Sequence, residues 1–340
     1  MVGWISSINI LGAAIGGMIT TLRIGRNSLF SLARLGLMIL ITFDMLSILC
    51  SSEASVLGVR FLSGIGGGIV YAAALAAFSG LKDPTKAFAT YIVVYCFFGG
   101  IILVSMPFLI GEFGVKAGFI TLAGMSLLCM TFIPVLNRIA PIVKKKEFIS
   151  INYLLKNKNV LYGLLSYFLL QMGGGTMWAY CERIGIEAGL SISYIGIALS
   201  ISVVFALLGG LLVMRVNKAW GIIRPLSVGI LVMGLGMVCM FYSNIKIFFL
   251  LAICMAGIGW SFVIPLYQQM QSRFDAAGKV VSLGTIVNMG GRSAGPAIAA
   301  MTLGNSAFNN ALWISIGALI LSIVLAIPAM RGIRAQGDET

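Results

Sequence analysis

Few residues in this sequence can do chemistry, and their spacing limits what that chemistry is. Asp44 and Arg60 each lie eight residues from Ser52, where a hairpin turn is expected between two long apolar runs. At about 1.5 Å rise per residue, both sit about 12 Å below the same end of adjacent antiparallel helices. A carboxylate and a guanidinium at equal depth can pair. Such a pair either pins two helices permanently or works as a proton site: Asp44 takes up a proton, the pair opens and a helix shifts. Arg292 lies twelve residues into a further apolar run with no partner close in sequence. It is suited to hold an anionic group of a solute, or to bond backbone carbonyls where Gly291, Gly295 and Pro296 interrupt the helix. Gln171 and Trp178 are seven apart and share a helix face. Trp260 and Gln268 in another run, and Tyr71 in a third, add polar-tipped side chains that fit an amphipathic organic solute. Trp178 and its neighbour Tyr180 fit equally well as anchors at a membrane interface.

Other chemistries are poorly supplied. The chain has no His, which removes His-based triads and most zinc sites. Its six Cys fall almost wholly within apolar runs, with no CxxC, and read as small buried hydrophobes. Asp44 is the one acid placed well inside a span, so no acid–base cluster for an enzyme is expected. There is no GxxxxGK[ST] phosphate loop. No cofactor and no metal site are expected.

The elements that must position these residues are set by hydrophobicity. Of 340 residues, 59% are hydrophobic and 10% charged, and the mean hydropathy is +1.04. A soluble domain of this size cannot bury that much apolar surface. Eleven runs are long enough to cross a bilayer, near 2–22, 30–51, 55–79, 87–111, 117–137, 159–181, 193–214, 225–243, 246–268, 280–303 and 309–330. The charge distribution tests this segmentation. Taken in alternation, the connections carry seventeen Lys and Arg on one side and three on the other (Lys116, Arg183 and Lys246). That is a strong positive-inside signal, and it puts the C-terminus in the cytoplasm. The net charge of +13 is therefore topological and gives no reason to expect nucleic acid. The organisation expected is an N-terminal bundle of five spans (1–137), a basic cytoplasmic linker (138–158), a C-terminal bundle of six spans (159–330) and a cytoplasmic tail (331–340).

Two glycine pairs repeat at one offset. Gly16-Gly17 matches Gly209-Gly210, and Gly64 with Gly66 matches Gly257 with Gly259 (209 − 16 and 257 − 64 are both 193). This points to a parallel duplication, in which the sixth run lacks a partner in the first half. Around these glycines the chain resembles the major facilitator superfamily. Arg60, Gly64, Gly66 and Gly68 resemble that family's RxxxGxGxG motif. Arg23, Gly25 and Arg26 resemble the end of its cytoplasmic GxLaDRxGRR motif, although Leu22 stands at the acidic position. Gly291, Gly295 and Pro296 resemble its GxxxGP pattern, in the other half of the chain. The resemblance implies an all-α integral membrane fold of two bundles, with 11 transmembrane helices here against a family norm of 12. It implies a chain shortened at its N-terminus, the family's first helix lying before residue 1.

By the same resemblance, Arg60 is a coupling residue with Asp44, and the turn of Arg23, Gly25 and Arg26 serves gating. Gly16, Gly17, Gly64, Gly66, Gly68, Gly291, Gly295 and Pro296 read plainly as close helix contacts, and as gating points where one bundle rocks on the other. Tyr71, Gln171, Trp178, Trp260, Gln268 and Arg292 are the candidate substrate residues. The expected function is secondary transport of a small organic solute across the cell (inner or plasma) membrane by alternating access, coupled to protons, with export favoured. The alternatives are import of an organic anion, and a non-transporting receptor or scaffold of the same fold. The partners expected are the lipid bilayer, the solute and protons, with the protein acting as a monomer.

Overall fold

In lipid, a backbone N–H or C=O without a partner costs several kcal/mol, so a long apolar run must close its own hydrogen bonds as a helix. The computed structural model describes residues 2–50, 52–135, 156–215, 220–275, 277–302 and 308–337. Among them are eleven long helices, one on each apolar run: α1 (Val2–Arg23), α2 (Leu29–Ser47), α3 (Glu53–Ser79), α4 (Pro84–Phe113), α5 (Val115–Thr131), α6 (Lys158–Glu187), α7 (Ile192–Met214), α8 (Ile223–Met240), α9 (Lys246–Phe274), α10 (Lys279–Thr302) and α11 (Asn309–Gly337). Most of the basic linker, 138–158, lies outside the described residues. Eight of the helices are long and apolar enough to cross a membrane by length and composition alone. Of the other three, α1 offers a shorter apolar stretch, Ile8–Arg23, while α6 and α10 are more polar and bear Gln171 with its three glycines and Arg292 with its glycine pair.

Helix starts follow local chemistry. Ser28, Ser52 and Ser191 cap α2, α3 and α7, each accepting from the N–H three residues on, and Asn157 caps α6 by accepting from Asn159. Before α10, the buried Asp275 carboxylate accepts from the N–H groups of Ala277 (2.9 Å) and Lys279 (2.5 Å). It thereby satisfies donors that the helix start would otherwise strand. Three helices outrun the expected spans: α6 continues to Glu187, α9 to Phe274 and α11 to Gly337. Polar residues end an apolar run, but they do not end a helix.

The chain forms two compact units. The first comprises Met1–Pro84, Ile101–Leu154 and Phe274–Met289. Its core gathers Leu32, Leu37, Ile69, Ala73 and Ile133, and a second cluster joins Ile24, Leu29, Ala76 and Ala77. Here α1 packs on α3 through interlocking glycines: Gly12 and Gly16 face the carbonyls of Phe61 and Ile65, while Gly64 and Gly68 face those of Asn9 and Ala13. A Cβ at any of the four would overlap a backbone oxygen, so only glycine permits this approach. The second unit comprises Thr85–Gly100, Leu155–Arg273 and Gly290–Thr340. Its centre is a hydroxyl triad joining α6, α9 and α11. The Tyr267 hydroxyl lies 2.6 Å from Ser166 Oγ and 2.7 Å from Ser322 Oγ, and the two serines donate to each other's carbonyls.

Candidate functional site

Two places carry the sequence-predicted chemistry, one in each unit. In the first unit, α2 and α3 bring Asp44 and Arg60 together. Arg60 Nη1 donates to Asp44 Oδ1 at 2.6 Å, and Ser63 Oγ donates to the same oxygen at 2.7 Å. The side chains are 3% and 13% exposed, so the pair is taken out of solvent. Arg60 also stands over the Phe119 ring of α5 at 5.6 Å. Asn9 of α1 donates to the Arg60 carbonyl at 2.8 Å. One guanidinium therefore meets side chains from α2 and α5, and its backbone is tied to α1. Neutralising Asp44 removes the charge that holds it, and a buried guanidinium without its carboxylate is strongly unfavourable. Ser63 went unremarked in the sequence, although it lies three residues after Arg60 and so on the same face.

In the second unit, α6, α9 and α10 bring together Gln171, Trp260 and Arg292. Trp260 Nε1 donates to Gln171 Oε1 at 3.1 Å. The Arg292 guanidinium lies over the Trp260 ring at 5.9 Å. Gln171 is fully buried and its Nε2 has no hydrogen-bond partner among the described residues. Arg292 is exposed within its unit, and among the described residues no carboxylate pairs with it. The glycines explain the approach. Gly173, Gly174 and Gly175 do not break α6, which is continuous. Each turns to a different neighbour: Gly173 to the Ser315 carbonyl of α11, Gly174 to Met233 and Trp260, and Gly175 to the backbone of Arg292, where an added Cβ would come within 2.9 Å. Gly291 and Gly295 return the contact, facing the carbonyls of Phe168 and Met172. Close packing of α6 on α10 thus fixes where the Arg292 side chain starts.

Tyr95, on α4 and 48% exposed, completes this cluster and was missed in the sequence. Its ring lies 6.3 Å from Trp260 at 49°, and Tyr91 lies 6.1 Å behind it. The i, i+4 tyrosine pair was the available signal, but it sits in a run otherwise indistinguishable from lipid-facing helix.

Among the described residues, Trp178 and Gln268 make no side-chain hydrogen bond or ring contact with this cluster. Trp178, two turns beyond Gln171, is exposed. Its neighbour Tyr180 is no interfacial anchor but a buried strut, donating to the Pro296 carbonyl at 3.1 Å and stacking on Phe308. Gln268 is buried along α9 beyond Trp260, with neither amide atom bonded among the described residues, and Gln271, one turn further, is in the same condition. Tyr71 belongs to α3 in the first unit.

The sequence profile of the Major Facilitator Superfamily matches residues 1–296. The chain belongs to the Major Facilitator Superfamily. Solved structures agree on the fold. The human organic anion transporter MFSD10 (TETRAN) is similar at 15% identity and a TM-score of 0.77, over 95% of this chain and 83% of that one. FucP, a superfamily transporter solved in the outward conformation, is similar at 12% identity and a TM-score of 0.74, over 96% of this chain and 89% of that one. No curated relative matches. Family and fold make this a multi-pass membrane transporter.

The superfamily motifs have definite places in the structure. Arg23, Gly25 and Arg26 form the α1–α2 turn, closed by Asn27 N–H donating to the Arg23 carbonyl at 3.0 Å. Gly25 adopts φ +90°, which favours glycine, and both arginine side chains are exposed. Gly66 faces the Gly36 carbonyl of α2, and Gly17 faces Thr285 of α10 within the first unit. Beside that contact, the Thr21 and Ser282 hydroxyls lie 2.7 Å apart. Pro296 lies within α10 and its carbonyl receives Tyr180.

Proposed function

We propose that this protein is a secondary active transporter of a small organic anion, working by alternating access and coupled to protons in a cell membrane. The observation that carries the reading is Arg292. A guanidinium inside a span costs roughly 2.5–3.5 kcal/mol on insertion scales and is rarely kept without a task. Here it is exposed in its unit, lies over an indole and has no carboxylate among the described residues to neutralise it. A carboxylate on the solute supplies the missing charge, and the planar fork of Arg suits it. The unpaired Gln171 Nε2 is a further donor for the same acceptor. The likeness to a human organic anion transporter agrees with this charge preference.

Protons enter at Asp44. While ionised, it holds Arg60 and accepts from Ser63. Once protonated it loses its grip on Arg60, and the α2–α3 contact is free to rearrange. The glycine seams between α1 and α3 and between α6 and α10 are the surfaces on which helices shift. The two-bundle division at the basic linker, a cytoplasmic C-terminus and a monomeric working unit belong to the same reading. The test uses proteoliposomes with an imposed pH gradient. Uptake of an organic anion should accelerate with the gradient in the wild-type protein. In Asp44→Asn the gradient should have no effect, while anion binding persists. A folded Asp44→Asn protein whose uptake still follows the gradient removes Asp44 from the proton path.

A further inference from the structure

Arg292 is isolated in a stricter sense than lacking a carboxylate. It stands thirteen residues after the first residue of α10, Lys279, and ten before the last, Thr302. Every other Lys and Arg that the second unit places on a helix lies within six residues of that helix's end. Long basic side chains at helix ends extend to water, so they do not charge the interior. The acids of these helices, Glu182 and Glu187, lie in the last two turns of α6. The middle of the second unit therefore holds one positive charge and no negative one. The groups around Arg292 add none. Gln171 and Trp260 are neutral, and the Trp260 N–H is committed to Gln171. In the first unit the buried Arg60 is already matched by Asp44. Arg292 itself is exposed, so a small group can stand beside its N–H donors without parting packed side chains.

We infer that the solute carries a single negative charge, and that Arg292 sets that number. The inference rests on the anion reading proposed above and deepens it. One carboxylate on Arg292 makes the middle of the unit neutral. A second carboxylate on the same small solute finds no cation at that depth, and a charge taken from water without a partner is strongly unfavourable. Gln171 can donate to a further oxygen, but a neutral amide does not cancel its charge. A solute with no charge leaves Arg292 bare. Preference therefore peaks at one.

Three probes share a skeleton and differ in charge. Near neutral pH succinate carries two ionised carboxylates, monomethyl succinate one and dimethyl succinate none. Each is titrated by calorimetry against the full-length protein in lipid nanodiscs. Monomethyl succinate should bind at least about ten-fold tighter than either of the others. Arg292→Met should weaken it about ten-fold or more and leave dimethyl succinate within about two-fold. Arg292→Lys, which keeps one charge and guards against a folding defect in the methionine variant, should keep the half-ester ahead of succinate. Succinate binding as tightly as the half-ester, with both weakened by Arg292→Met, overturns the single-charge assignment and leaves the anion reading intact. A diester that binds as tightly as the half-ester, a half-ester unaffected by Arg292→Met, or no binding of any of the three overturns both.

Discussion

Asp44 and Arg60 show what one pair of charges does inside an apolar unit. Removing one partner from a buried pair costs about 3–5 kcal/mol because the other charge is left alone, whereas removing both together costs far less. The structure gives each a private environment: Asp44 keeps the Ser63 hydroxyl, and Arg60 keeps the Phe119 ring. Arg60→Gln should therefore lower the melting temperature more than the double substitution Asp44→Asn/Arg60→Gln. A double-mutant cycle by thermal unfolding in detergent should give a coupling of about 1–3 kcal/mol. Additive effects would mean that the two charges do not hold each other. The same pair shows why residue roles were partly readable from sequence. Asp44 and Arg60 stand at equal distance from a turn, and equal depth follows from helix rise alone. The union of Gln171, Trp260, Tyr95 and Arg292 on four helices had no such local rule, since it depends on how α4, α6, α9 and α10 pack.

Helices were legible because lipid leaves an apolar run one way to satisfy its backbone. All eleven expected spans correspond to helices, and the differences lie at ends, where hydropathy falls before helical hydrogen bonding does. Glycine function was less legible. Composition marks glycines as close contacts without saying against what, and nothing local in the run Gly173-Gly174-Gly175 shows that three different neighbours meet there. The contrast within α3 makes this testable. Gly68 faces the Ala13 carbonyl so closely that any Cβ displaces backbone, whereas nothing lies within 4 Å of a Cβ at Gly58. Gly68→Val should force α1 from α3 and cost at least about 1–3 kcal/mol. It should appear as reduced recovery of folded protein and a lower melting temperature. Gly58→Val, on the same helix, should leave both nearly unchanged. Equal damage at the two positions would refute the packing account.

At the scale of the whole molecule, lipid solvates the outside, so polar groups inside are where stability is decided. Many large hydrophobic side chains are exposed, including Leu49, Phe108, Phe113, Ile192 and Trp313, and in a bilayer these cost nothing. Gln268 and Gln271 are the opposite case. Both are 1% exposed, and all four amide atoms lack partners among the described residues. A buried orphan group costs about 1–3 kcal/mol, a large sum for a protein of ordinary marginal stability. A transporter alternates between conformations, and groups that are dry in one can be hydrated in the other. The cost then belongs to one state only and tilts the equilibrium away from it. Methionine matches glutamine in length without the amide. Gln268→Met/Gln271→Met should raise the melting temperature by at least about 2–4 °C, because orphaned groups disappear. It should also slow turnover by ten-fold or more, because the conformer with these residues buried is no longer disfavoured. A lower melting temperature would show that the amides are bonded after all. A higher one with unchanged turnover would show that they stay dry throughout the cycle and that the bias lies elsewhere.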